Sequence, residues 1–135
     1  PHCWEIREWE PVLFVSAWAA IAYVRLGRYE EAKKLLERAL PECEAQGAAQ
    51  LWRMVWLQMA LAQLSLARGE MAAALNAAHR AADSAEQSHY RMEQGAALRV
   101  LGQVCEAVDD RGAADAAFRH SLEVLEAIQR VRSVS

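Results

Sequence analysis

The sequence predicts an all-α chain: an α-solenoid of three antiparallel helix pairs, right-handed in its superhelical sense and without strands. Two observations carry that expectation. Apolar residues fill 54% of the 135 positions, with alanine foremost, while Gly and Pro number only six and three. Such a balance favours helices and leaves little for sheets or long loops. In addition, one turn-and-helix phrase recurs, as Gly27-x-Tyr29-x-x-Ala32, Gly69-x-Met71-x-x-Ala74 and Asp109-x-Arg111-x-x-Ala114, first 42 and then 40 residues apart. Each turn has an apolar helical segment before it and an amphipathic one after it, so every period holds two helices.

Small residues recur at fixed places in each unit. Ala20, Ala62 and Gly102 precede the turns, and Ala32, Ala74 and Ala114 follow them. Small side chains on both sides let paired helices approach closely, and the larger residues between them fill the remaining gap. On this reading residues 1–10 are a lead-in and the repeats cover 11–48, 49–89 and 90–132.

Taken in order, the elements follow from local signals. Pro11 suits a first helical turn, and the apolar run Val12 to Val24, broken only by Ser16, makes a helix to about Leu26 that Gly27 ends. At 13 residues that run is too short to span a bilayer. The second helix, about 29–46, buries Tyr29, Ala32, Leu35, Leu36, Ala39, Leu40 and Cys43. Its outer face offers Glu30–Lys34 and Glu31–Lys34 pairs, and Pro41 should kink it. The third, about 49–67, has two apolar stripes: Val55, Leu61, Ala62 and Ser65 on one, Trp52, Trp56, Met59 and Leu66 on the other. The fourth, 71–88, turns Met71, Ala74, Leu75, Ala78 and Ala82 inward. The fifth, about 91–108, presents Leu98, Leu101, Val104, Cys105 and Val108. Asp109-Asp110 breaks it and caps the sixth, about 111–131, which buries Ala114, Ala117, Phe118, Leu122, Leu125 and Ile128 and leaves Val124 and Ala127 off the stripe.

Leu98-x-x-Leu101-Gly102-x-x-Cys105 followed by Ala114-x-x-x-Phe118 follows the tetratricopeptide pattern. Together with Gly27-Arg-Tyr-Glu-Glu-Ala-x-x-Leu-Leu-Glu-Arg-Ala-Leu and Ala114-Asp-Ala-Ala-Phe-Arg-His-Ser-Leu-Glu-Val-Leu-Glu, it resembles the tetratricopeptide-like region of large bacterial signal-transduction ATPases. That group includes transcriptional activators with a LuxR-type DNA-binding tail, such as the maltose activator. The resemblance covers about residues 12–131 and implies a sensor or interaction module in the cytoplasm. No GxxxxGK[ST] loop and no helix-turn-helix is present, so ATPase or DNA-binding roles would fall to other parts of a parent chain.

Candidate chemistry is thin. Glu86-Gln-Ser-His89 has the spacing of a di-iron motif, but no second copy exists. His2-Cys3 and Asp109-Asp110 lack further ligands, His79 and His120 sit among helix-surface residues, and Cys43 and Cys105 occupy apolar slots. Three cysteines without a CxxC point to a reducing compartment, and a net charge of −3 argues against nucleic-acid binding. The sequence therefore predicts a non-enzyme with no catalytic residues, no cofactor, no metal and no membrane role.

Two functional readings stand. In one, a protein, peptide or small ligand lies on a concave face formed by Trp52, Trp56, Met59, Gln63, Arg99, Gln103 and Glu106. In the other, the segment is a spacer that self-associates. The first helix is apolar all round, so its N-terminal pair should form a homodimer contact near Trp4, Trp9, Phe14 and Trp18.

Overall fold

The computed structural model describes residues 16–47 and 51–134, and among them every regular element is an α-helix. The described part of α1 covers 16–25. It is followed by α2 (Tyr29–Gln46), α3 (Leu51–Ala67), α4 (Met71–Ser88), α5 (Arg91–Ala107) and α6 (Arg111–Val134). Pro41 lies inside α2 without interrupting it.

Three of the turns share one hydrogen-bond scheme. At Gly27 the amide donates to the Val24 carbonyl (3.1 Å), and the next amide, Arg28 N–H, reaches back to Tyr23 O (2.8 Å). The same two bonds join Gly69 to Leu66 and Glu70 to Ser65, and again Asp109 to Glu106 and Asp110 to Cys105. This is the Schellman ending, whose hinge residue must be left-handed. Gly27, Gly69 and Asp109 have φ of 78°, 77° and 64°. Arg28, Glu70 and Asp110 then accept the first backbone bond of the following helix, from Ala32, Ala74 and Ala114. One residue thus closes one helix and opens the next. At the third turn Asp110 Oδ1 also accepts from Ala113 N–H (3.1 Å), the capping bond expected of it.

Packing is most extensive between α3 and α4 and between α5 and α6; α4 also packs on α5, and α3 touches both α2 and α5. The core is built largely of alanine. Ala17 and Ala20 of α1 meet Ala32, Leu36, Ala39 and Cys43 of α2 and Leu57, Ala60 and Leu64 of α3. Ala62 joins Ala74, Ala77 and Ala78 to Leu101, Val104, Cys105, Ala114 and Ala117 in a second cluster. Val55, Met59, Ala81, Ala85 and Ala97 form a third.

The last pair departs from the expected stripe. Val124 is only 5% exposed, whereas Leu122 is 57% and Leu125 37% exposed. The cause lies on α5. Gly95 and Gly102 leave room for the Leu125 and Phe118 side chains of α6, and Ser121 Oγ donates to Gly95 O at 2.7 Å. Seating those two side chains over the glycines settles the rotation of α6, with Ala114, Ala117, Ser121 and Val124 buried and Leu122 turned outward. Met71 is likewise exposed at the start of α4. On α2, Glu31 binds Arg28 through two bonds (2.6 and 2.5 Å), and Glu30 approaches Arg68 (3.9 Å), so neither carboxylate takes the predicted Lys34 partner.

Candidate functional site

The aromatic residues of the proposed concave face are brought together only in part. Trp18 of α1 lies against Trp56 of α3, with ring centroids 5.1 Å apart and planes inclined by 32°. Trp18 is 48% exposed, and Trp56 is half-buried. The Trp56 ring also packs against the clusters on both of its sides, the one shared with α1 and α2 and the one reaching Ala97 of α5. It is therefore held between those two clusters, beside Trp18. Trp52, one turn earlier, is half-buried and carries the Arg53 guanidinium over its ring at 4.2 Å.

The other predicted residues divide between core and surface. Met59 is 3% exposed and belongs to the interior cluster with Ala97, so it offers no binding surface. Gln63 and Gln103 are half-buried, and Arg99 and Glu106 are exposed on α5. Glu106 also lines a cleft of about 530 Å³ with Asp109, Arg111, Asp115 and Phe118 at the α5–α6 turn. Trp4, Trp9 and Phe14 lie outside the described residues.

Among the described residues the buried polar side chains are Gln58, Ser65 and Ser121, and two buried thiols, Cys43 and Cys105, join them. Burial pushes the Cys43 thiol up to about 11, with Arg53 opposing the shift. Burial also raises Cys105, and Asp110 adds to the effect. Both thiols therefore stay protonated at neutral pH, the opposite of an activated nucleophile. Gln58 was not singled out in the sequence, yet it is 5% exposed. Its amide nitrogen reaches only Met54 Sδ (3.6 Å), and its Oε1 accepts no hydrogen bond among the described residues. The signal that could have found it is the helical spacing, since Val55, Gln58, Ala62 and Ser65 are three, four and three residues apart and share one stripe of α3. Among the described residues no three His, Cys, Asp or Glu side chains gather to hold a metal, and no helix is long and apolar enough to cross a membrane.

No protein-family model, curated protein or solved structure matches this chain.

Proposed function

We propose that the chain is a non-catalytic interaction module, a tetratricopeptide-like solenoid of three helix pairs with a right-handed superhelical sense, which binds an extended peptide of a protein partner. Its role would be that of a sensor segment in a bacterial regulatory protein. The solenoid reading is supported by the three equivalent turns and by the contact of α3 with α5, two helices on. The binding reading rests on one observation, the tilted Trp18–Trp56 ring pair, in which Trp18 is exposed and Trp56 partly buried. Tryptophan left at a surface is costly in water and is enriched where partners dock. Arg99 and Gln103 on α5 supply polar groups for a peptide with an apolar anchor and a polar end.

Peptides selected from a random display library against the full chain, then synthesised and titrated by tryptophan fluorescence, test the reading. Binding in the micromolar range that weakens roughly tenfold or more in Trp56→Ala supports it, since a central aromatic anchor is worth at least that much. Selected peptides that bind Trp56→Ala as well as the parent would move the site elsewhere. Failure to select any peptide would leave the spacer reading in its place.

A further inference from the structure

Charge is spread unevenly over the helices. The described part of α1 and the whole of α3 hold no Asp or Glu, and their ionic residues are Arg25 and Arg53. On α5, Arg91 and Arg99 stand against Glu93 and Glu106. The three helices on which the proposed peptide face is built are therefore net positive, although the whole chain has a net charge of −3. Carboxylates concentrate elsewhere: α2 carries Glu30, Glu31, Glu37, Glu42 and Glu44 against Lys33, Lys34 and Arg38.

Two of these arginines flank the tryptophan pair. Trp18, Ala22 and Arg25 are all exposed and spaced four and three apart, so they share one side of α1. On the other flank, Ala96 and Val100 of α5 pack against the same cluster as Trp56. Arg99, three residues after Ala96, is exposed, and Gln103 lies one turn further along. Neighbouring helix axes run about 8–10 Å apart, which sets Arg99 about 10 Å from the pair. Arg25 lies two turns along α1 from Trp18, also about 10 Å away. The two carboxylates of α5 are displaced from Arg99. Glu93 is half-buried near the start of the helix, and Glu106 lines the cleft at the α5–α6 turn with Arg111. The ion pairs among the described residues join Arg28 to Glu31, Arg68 to Glu30 and Glu70, and Arg119 to Asp115; Arg25 and Arg99 enter none of them.

We infer that the segment bound at this face is acidic: an extended peptide with an apolar anchor on the Trp18–Trp56 pair and an Asp or Glu about three residues away, set against Arg99. The inference rests on the peptide-binding reading above and adds the charge and spacing of the partner. Extended chain advances about 3.3 Å per residue, so three residues cover the distance from the pair to Arg99. A guanidinium offers several N–H groups to one carboxylate, and neither α1 nor α3 presents a carboxylate of its own to repel it. A basic peptide would instead be drawn toward α2 and its glutamates.

Peptides selected from a random display library against the full chain test this directly, because the net charge of −3 by itself favours basic sequences. The expected outcome is enrichment of Asp or Glu about three positions from a large apolar residue. Selected peptides that lose affinity in Trp56→Ala yet show no such enrichment overturn the inference and leave the peptide reading intact; a library that yields no binder removes both. For the tightest selected peptide, exchanging its Asp and Glu for Asn and Gln should weaken binding to the parent roughly tenfold and change binding to Arg99→Ala little. Arg99→Glu should weaken the acidic peptide further, and a copy of the peptide with Lys at the acidic position should regain affinity for that variant. Equal losses in the parent and in Arg99→Ala, with helicity intact by circular dichroism, would overturn the placement of the carboxylate at Arg99.

Discussion

Replacing Gly102 by alanine probes one of two close glycine contacts between α5 and α6, the other being at Gly95. An added Cβ would stand 2.6 Å from Phe118 Cε1 and 2.8 Å from its Cδ1 and Cζ. Contacts that short force the ring to swing away, at a cost of about 2 kcal/mol, mid-range for an overpacked core site. Removing a glycine from a helix interior returns about 1 kcal/mol. The net expectation is destabilisation by about 1 kcal/mol, a fall in Tm of roughly 3–5 °C for a chain of this size. The first repeat shows how the clash is avoided: Ala20 and Leu36 occupy the positions of Gly102 and Phe118, and both are buried in one cluster. Gly102→Ala with Phe118→Leu recreates that pair. Phe118→Leu alone should cost about 1 kcal/mol of lost ring burial. The double variant loses the clash and keeps the helix-propensity gain, so it should match the parent within about 0.5 kcal/mol, a coupling of about 2 kcal/mol. Urea unfolding followed by far-ultraviolet circular dichroism measures all four corners of the cycle. A Gly102→Ala protein at least as stable as the parent, or strictly additive losses in the double variant, would refute the close-approach argument.

Two further outcomes follow from backbone and burial. Asp109 holds φ of 64° where the equivalent turns have glycine, and a left-handed non-glycine residue is strained, so Asp109→Gly should raise stability by about 0.5–1 kcal/mol, read as a higher urea midpoint. A lower midpoint would show that the Asp109 side chain contributes more than its backbone strain costs. Cys43 has its thiol pushed up from 9.0 to about 11 by burial. A folded-state value above the unfolded one stabilises the fold below the unfolded value, and that contribution is lost as pH rises from about 9 to about 11. Urea midpoints should fall across that range in the parent and fall less in Cys43→Ala; equal slopes would remove Cys43 as the cause.

Helix boundaries were legible because they depend on neighbours in the chain. Gly27, Gly69 and Asp109-Asp110 end one helix and open the next through hydrogen bonds spanning three to five residues, and residues 29–46 and 71–88 come out helical as expected. The small-residue slots at Ala20, Ala62 and Gly102 were legible too, since the repeat spacing marks the same place in each unit. Helix rotation was not. Apolar periodicity weights large side chains and so chose Leu122 over Val124. The actual stripe depends on Gly95 and Gly102 across the interface, and those lie on another helix. The candidate site divides in the same way. Trp56 and Met59 are three residues apart on one predicted stripe, but the approach of Ala97 buries Met59, while Trp56, beside Trp18, is only partly buried. Residue type and spacing determined which side chains could face a partner. Only the packing of the neighbouring helix decided which of them stay exposed, because burial is a property of two surfaces and the sequence describes one at a time.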